Sequence, residues 1–366
     1  MKLRKLSTIF AIALSLTLTA CSNKSEDTAD KGDNTTVEEV TTAPTEGAGS
    51  DTVTEAPASE STVEYPITIK HAFGETVIES KPERIATISW GNQDVPLALG
   101  VVPVGISEAN YGVVDGSGLL PWTKDAYAKL GVTEPALFSD TDGLDFEAIS
   151  DAQPDVILAA YSGITQEEYD LLSAIAPVVA YPTLAWQTYW RDQILLDATG
   201  MGMKAEGEQL VADLEQLIAD KIAAYPQMAG KNAAFFYFNP ADLGKFYVYL
   251  PTDPRAAYLT DLGLTVPESV QKLTEESTSF AIELSAENVD LLKDVDIIIG
   301  YGDAALLEAL QADPLMGTLP AIQKGAVALI QDGTPLAASG TPSALSIPAT
   351  IDEYLKLIGE AADKAE

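Results

Sequence analysis

A long amphipathic segment near the middle of the chain separates two stretches in which short apolar runs alternate with helical patterns. Its apolar residues share one stripe at helical spacing: Leu210, Leu214, Leu217, Ile218 and Ile222. This spacing predicts one long helix over residues 204–224, and a proline follows it at the place where helices commonly end. Because strands and helices alternate on both sides, we expect an α/β protein with two lobes of mostly parallel sheet, joined by a single long helix.

The lobe boundaries follow from this pattern. We place the N-terminal lobe at residues 65–202, the interlobe helix at 203–226, and the C-terminal lobe with its closing helix at 227–366. A short hairpin is expected over residues 68–78, where Gly74 interrupts an alternating pattern. The other predicted strands are at 84–90, 101–106, 156–160, 178–181, 233–238, 247–250, 296–300 and 326–330.

The two lobes carry a weak internal repeat. Residues 144–147, Leu-Asp-Phe-Glu, begin a short predicted helix that leads to the strand at 156–160. Residues 284–287, Leu-Ser-Ala-Glu, precede the strand at 296–300 in the same way. The repeat therefore gives Glu147 and Glu287 equivalent positions in the two lobes.

The start of the chain has the features of an export signal. Residues 1–21 combine basic residues with an apolar run that is too short to span a bilayer comfortably, and they end in Leu-Thr-Ala-Cys. This ending resembles the bacterial lipobox, in which the cysteine receives lipid, so we expect lipidation at Cys21 and an extracytoplasmic protein anchored to the membrane. Residues 22–64 are acidic and rich in Ser and Thr without aromatic residues, which predicts a disordered tether and hints at a Gram-positive envelope.

Composition excludes several kinds of function. The net charge of −34 argues against binding nucleic acid or anionic lipid surfaces. Cys21 is the only cysteine, so no disulfide can form within the chain. His71 is the only histidine and lies in the predicted hairpin, where a surface or turn role is expected. We therefore expect neither a metal site nor a catalytic triad, and no nucleophile elbow or phosphate-binding loop supports an enzyme.

Several segments, taken in order, resemble the iron–siderophore substrate-binding lipoproteins of ABC importers. They lie at residues 65–74, 81–87, 98–105, 186–190, 246–249, 253–255, 261–263, 333–336 and 346–348. The resemblance implies a monomer of the class III periplasmic-binding-protein type, with a ligand cleft between two α/β lobes and little closure on binding. It also implies delivery of the ligand to the permease subunits of an ABC importer. Glu147 and Glu287 match the family positions whose carboxylates dock on permease arginines.

Aromatic residues at strand and loop ends are the candidate lining of the cleft, because open α/β sheets bind ligands at the carboxyl ends of their strands. The first candidates are Trp90, Tyr161, Phe280 and Tyr301, followed by Tyr111, Trp186 and Tyr249. Aromatic walls suit a bulky chelate, which the protein binds as its ligand and not as a cofactor.

Basic residues bear on which chelate binds. Arg255 is the best candidate for the cleft and Arg191 the second, whereas Arg84 is expected to anchor a strand. A polyanionic ferric catecholate would need several arginines, so the sequence slightly favours a hydroxamate-type siderophore. Residues 139–142, Ser-Asp-Thr-Asp, depart from the arginine that hydroxamate binders of this fold carry there. Cobalamin, haem and a purely structural or adhesive surface lipoprotein remain open alternatives.

Overall fold

The computed structural model describes residues 63–141, 143–275 and 277–365. The predicted signal segment 1–21, its Cys21 and all but the last two residues of the predicted tether 22–64 lie outside these ranges. Within them, no helix combines the length and apolarity needed to cross a lipid bilayer.

The hairpin predicted at the start of the folded region is present. Strands β1 (Ile67–His71) and β2 (Gly74–Ile78) pair antiparallel. The expected surface role of His71 is wrong, because the residue is only 7% exposed. The alternative turn role agrees with the structure, since its Nδ1 accepts from the backbone N–H of Phe73 in the turn at 3.2 Å. Its Nε2 lies 2.9 Å from the Thr76 hydroxyl, and its ring packs 5.1 Å from that of Tyr169. Cross-strand pairing turns this position inward, which a run of five residues does not reveal.

The N-terminal lobe is built on a five-stranded parallel sheet in the order β5-β4-β3-β6-β7. Its strands are β3 (Ile85–Thr87), β4 (Gly105–Ser107), β5 (Leu137–Phe138), β6 (Val156–Ala159) and β7 (Val178–Ala180). Its helices are α1 (Asp94–Ala98), α2 (Pro121–Lys129), α3 (Phe146–Asp151) and α4 (Gln166–Ser173). The parallel sheet agrees with the alternation of strands and helices in the sequence.

Two successive helices link the lobes. The first, α5 (Trp190–Gly200), was not predicted, and the second, α6 (Lys204–Ile222), confirms the long interlobe helix. Of the predicted stripe on α6, Leu214 and Ile218 are buried and the other members are partly buried. These two pack in one core with Trp190 of α5 and with the C-terminal sheet, so the linking helices belong to the core and do not form a free hinge.

The C-terminal lobe has a mixed five-stranded sheet in the order β10-β9-β8-β11-β12. Its strands are β8 (Ala233–Asn239), β9 (Asp242–Tyr249), β10 (Ala281–Ser285), β11 (Ile297–Tyr301) and β12 (Val327–Ile330). Its α-helices are α7 (Pro254–Asp261), α8 (Glu268–Glu275), α9 (Ala304–Ala312), α10 (Pro320–Lys324), α11 (Pro335–Ala338) and α12 (Ser346–Ala362). Short 3-10 helices lie at Pro226–Met228, Ala286–Leu292 and Met316–Thr318.

This second sheet is less parallel than the sequence predicted. Strands β8, β11 and β12 are parallel, but β9 pairs antiparallel with both β8 and β10. The connection from Asn239 to Asp242 is too short for a parallel crossover, so β8 and β9 must form a hairpin. The fold class nevertheless agrees with the expectation of two α/β lobes joined by a long helix.

A second connection between the lobes depends on Asp94 at the start of α1. Its buried carboxylate accepts hydrogen bonds from Trp122 Nε1 and Thr123 Oγ1, both at 3.1 Å, and from Ser343 Oγ at 2.5 Å. Ser343 lies between α11 and α12, so the chain returns to the N-terminal lobe after completing the second sheet. Ala338 of α11 packs there against Leu120 and Trp122.

Replacing Leu214 with Asp should reduce the free energy of unfolding by about 3 kcal/mol or more, because an unpaired carboxylate would enter the core. The matched control is Ala219→Asp on the exposed face of the same helix, which should change stability by less than about 1 kcal/mol. Urea denaturation followed by circular dichroism measures both. Equal losses would mean that Leu214 is not a core residue.

Asp94 should make stability depend on pH. Burial raises the pKa of its carboxyl to about 6, partly offset by its hydrogen bonds to Ser343, Thr123 and Trp122. Because the pKa of Asp94 is higher in the folded state than in the unfolded state, its contribution to the free energy of unfolding is complete below the unfolded-state pKa. This contribution is lost as the pH rises through the folded-state pKa of about 6. In Asp94→Asn, the amide oxygen can accept from Trp122 and Ser343 while its NH₂ donates to Thr123. Relative to this variant, the wild type should lose roughly 3 kcal/mol between pH 4 and 7 in urea titrations. If the difference in unfolding free energy between the wild type and Asp94→Asn did not change with pH, this prediction would be wrong.

Candidate ligand cleft

A cavity of about 580 Å³ lies between the two lobes. The predicted cleft residues other than Tyr249 and Arg191 line it: Trp90, Tyr111, Tyr161, Trp186, Arg255, Phe280 and Tyr301. The volume falls in the range of small-molecule binding sites, and the wall is mainly aromatic. The structure therefore brings most of the predicted set into one place.

The N-terminal wall stands where the order of the parallel sheet reverses. Trp90 follows β3 and Tyr161 follows β6, and these neighbouring strands have β4 and β7 on their outer sides. Open α/β sheets bind ligands at such a switch point, at the carboxyl ends of the strands. Both aromatic residues therefore lie at the carboxyl ends of adjacent strands, as expected from the sequence.

Trp186 extends this wall by an edge contact with Tyr161, with ring centroids 5.3 Å apart and planes at 75°. Its backbone has a φ of 60°, and its side chain is 38% exposed. The indole lies so close to Gly163 that a Cβ there would stand 2.2 Å from Trp186 Nε1. Only glycine therefore allows the indole to take this position.

The C-terminal wall is organised around Arg255 near the start of α7. Its Nε and one terminal nitrogen donate to the two carboxylate oxygens of Asp253, at 2.9 and 2.8 Å. Its guanidinium carbon lies 4.1 Å from the centroid of the Tyr249 ring, and that ring stacks on Phe280. Tyr249 does not line the cavity but supports Arg255 and Phe280 from behind.

Electrostatics fix the protonation states of this wall. Burial opposes the charge on Arg255, but the hydrogen bonds and charge of Asp253 outweigh it and raise the pKa of the guanidinium. Burial raises the pKa of Tyr301 to about 12, although the positive charge of Arg255 works against this. The wall therefore offers a permanent cation, already balanced by Asp253, and a neutral phenol.

Carboxylates line the opposite side of the cavity: Glu108, Asp140 and Glu168. Burial is the main cause that raises the pKa of Asp140, and the charge of Glu108 adds to it. Oδ1 of Asp140 is buried without a hydrogen-bond partner. Among the described residues that line the cavity, Arg255 is the one basic side chain. The described lining is therefore net acidic.

Tyr111 closes one end of the cavity by reaching from the N-terminal lobe to the C-terminal lobe. Its hydroxyl donates to Asp332 Oδ1 at 2.5 Å and accepts from the backbone N–H of Gly333 at 3.2 Å. On the other flank, Gln187 Nε2 donates to the carbonyl of Thr278 at 3.0 Å. Contacts between the lobes thus bound the cleft on both sides.

The other arginines considered from sequence lie outside the cavity. Arg191 is held by Asp261 and Glu215 at 2.9 and 2.6 Å, so the expectation that it is a second cleft cation is wrong. Arg84 donates to the carbonyls of Gln153 and Ala152 at the end of α3, in agreement with an anchoring role at the start of β3.

Sequence reasoning missed some polar lining residues. Glu168 lies on α4, where it forms a capping box with Thr165, and Thr341 lines the cavity from the segment after α11. The same residue types cap many helices, so no feature of the sequence distinguishes Glu168 from other capping residues. Asp140 was noticed only as a departure from related proteins, and its neighbour Asp142 lies outside the described residues.

Glu147 and Glu287 occupy matching places in the two lobes. Each is exposed and is the second residue of a short helical segment, after an N-cap by Asp145 or Ser285. The second segment is a 3-10 helix that follows β10, so Leu284 is a strand residue and not a helical one. Within the described ranges, neither glutamate forms an ion pair. The described residues also contain no cluster of three or more side chains able to hold a metal ion.

Known proteins with this architecture give the cleft a context. The chain is 53% identical to Streptococcus pneumoniae TIGR4 PiaA in its crystal structure with ferrichrome, with a TM-score of 0.79 over 82% of this chain and 100% of that one. It is 27% identical to the probable siderophore-binding lipoprotein YfiY of Bacillus subtilis over 63% of this chain and 66% of that protein. It is 26% identical to the ferric enterobactin-binding periplasmic protein FepB of Escherichia coli O6:H1 over 73% of this chain and 84% of that protein.

The sequence profile of periplasmic binding proteins matches residues 85–333, which include both sheets, the linking helices and most of the cleft lining. This confirms the resemblance seen in the sequence. Such proteins bind solutes outside the cytoplasm and are not an enzyme family. The chain belongs to the periplasmic binding protein family.

Proposed function

We propose that this protein captures a ferric siderophore of neutral or positive charge, of the hydroxamate type, and delivers it to an ABC importer. The observation that carries the proposal is the chemistry of the cavity wall, which is mainly aromatic. Arg255 is the one basic side chain among the described lining residues, and Asp253 already neutralises it. A ferric hydroxamate presents apolar arms and carbonyl-type oxygens, which aromatic faces and a few donors can bind. Ferrichrome, the ligand in the PiaA crystal structure, is a ferric hydroxamate.

The charges of the cleft argue against a polyanionic ligand. A ferric catecholate would bring its negative charges close to Glu108, Asp140 and Glu168 without gaining an unpaired arginine. Like charges a few ångströms apart cost several kcal/mol in a partly buried site. The enterobactin ligand in the name of FepB therefore does not transfer to this cleft.

Arg255 and Tyr301 are the polar groups best placed to orient the chelate. Both line the cavity, and the positive charge of Arg255 acts on the Tyr301 hydroxyl. Their N–H and O–H groups can donate to hydroxamate oxygens, whereas the aromatic rings of Trp90, Tyr161 and Trp186 enclose the organic part. These roles for the lining residues are part of the proposal.

The proposed function also requires that the protein be held outside the cell, close to its permease. A signal segment at residues 1–21 and a lipid on Cys21 would hold the binding lobes at the outer face of the membrane, through the tether 22–64. A Gram-positive envelope suits such an arrangement. The monomer would then meet the permease with the surface that carries Glu147 and Glu287.

Titration of tryptophan fluorescence should rank the possible ligands. We expect ferrichrome to bind at least roughly a hundredfold more tightly than a ferric tris-catecholate, because the acidic lining repels the latter. The double variant Asp140→Asn with Glu168→Gln should narrow this gap by improving catecholate binding. The variant Asp170→Asn, exposed on α4 and outside the cavity, is the matched control and should leave the gap unchanged. A preference of the wild type for the catecholate, cobalamin or haem would contradict the proposed ligand.

Reversing both docking charges, by Glu147→Lys with Glu287→Lys, should abolish iron uptake in cells while leaving chelate affinity within about twofold of wild type. The reason is that two exposed carboxylates at matched positions suit a permease with two similar subunits. The control Glu206→Lys with Glu353→Lys makes the same change in net charge on exposed sites of α6 and α12. If iron uptake persists in the Glu147→Lys, Glu287→Lys variant, or is lost equally in the control, Glu147 and Glu287 are not the docking residues.

A further inference from the structure

The loop that carries Trp90 has an unfavourable backbone. Ser89 has a φ of 64° and Gly91 a φ of 73°, so Trp90 stands between two left-handed residues. Serine has a side chain and pays an energetic penalty in this region, so other contacts must hold the loop in shape. Ser107 Oγ accepts from the backbone N–H of Ser89 at 3.0 Å and supports one side.

The side-chain amide of Asn92 joins this loop to the strand that ends at Tyr161. Its Nδ2 donates to the carbonyls of Ile88 and Tyr161 at 2.7 and 2.9 Å, and its Oδ1 accepts from the Tyr161 backbone N–H at 3.0 Å. Asn92 is fully buried. The last backbone hydrogen bond between the two strands runs from Ile88 N to the carbonyl of Leu158. The Asn92 amide thus continues the pairing of β3 with β6 beyond this bond.

Gln193 on α5 completes the arrangement from the side of the lobe junction. Its Nε2 donates to Asn92 Oδ1 at 3.0 Å and to the Trp90 carbonyl at 3.2 Å. A Cβ on Gly91 would stand 3.3 Å from this nitrogen, so the loop passes directly against the amide. The next residue of α5 is Ile194, which packs in the core of the C-terminal lobe.

We propose that Asn92 and Gln193 form a positioning pair that fixes Trp90 relative to Tyr161 and thereby sets which chelates fit between these rings. Both amides bond to the backbone of the wall residues and neither lines the cavity, so they act through Trp90 and Tyr161. This inference rests on the proposed function for its consequence in binding. The placement of Trp90 can be tested without a ligand.

The test variant is Gln193→Met, which keeps the length of the side chain and removes its donors, while Asn92 keeps its bonds to Ile88 and Tyr161. The matched control is Gln311→Met on α9, whose Nε2 donates to the carbonyl of Ile322 at 2.9 Å, away from the cavity. We expect Gln193→Met to weaken ferrichrome binding at least about fivefold and to change its affinity ratio to a linear ferric tris-hydroxamate. Gln311→Met should leave both values at wild-type levels.

A spectroscopic measurement on the unliganded protein separates this inference from the proposed function. Gln193→Met should change the near-ultraviolet circular dichroism of the tryptophans, and the change should disappear in a Trp90→Phe background. If the wild type binds none of the chelates, the proposed function is wrong, but this signal still reports on Trp90. An unaltered spectrum, or an affinity ratio that Gln193→Met does not move more than Gln311→Met does, would overturn the positioning pair.

Discussion

The buried carboxylate of Asp94 is the contact on which the shape of the cleft depends. It collects donors from Trp122 and Thr123 in the N-terminal lobe and from Ser343 in the segment that returns from the C-terminal lobe. A buried carboxylate needs several partners to be tolerated, so this network fixes the spacing of all the elements that supply them. Asp94 also follows the Trp90 loop by a few residues, which ties that wall of the cavity to the crossing between the lobes.

This contact acts together with the helices α5 and α6, whose buried faces share a core with the second sheet. Two lobes joined at one point could rotate about it, but here they are joined by packed helices and by a returning segment with a buried polar centre. Contacts at the ends of the cavity, from Tyr111 to Asp332 and from Gln187 to Thr278, add to these connections. Such a frame favours a largely preformed cleft, in which affinity comes from the complementarity of the walls and not from a large closure.

The sequence predicted the parts of this arrangement that depend on local periodicity. Trp90 and Tyr161 could be found because they follow buried strands, and topology carries such positions to one edge of the sheet. Tyr249 was harder to place, because the residues next to a strand end can face the cavity or the layer behind it. The buried role of His71 depends on cross-strand pairing and on Tyr169, which is distant in sequence. The Asp94 network likewise joins Asp94 to Ser343, which is 249 positions away, and no local pattern marks such a contact.

The presence of an arginine in the cleft was not enough to identify the charge of the ligand. Arg255 was identified from sequence as a possible anion-binding group, and it does line the cavity. Its neighbour Asp253 is almost fully buried and binds it through two hydrogen bonds, so most of its charge is compensated before any ligand arrives. Desolvating this pair is tolerable only while both partners remain together. An anionic ligand would compete with Asp253 for the same guanidinium, whereas a neutral chelate can accept a hydrogen bond at the edge of the pair and leave it intact.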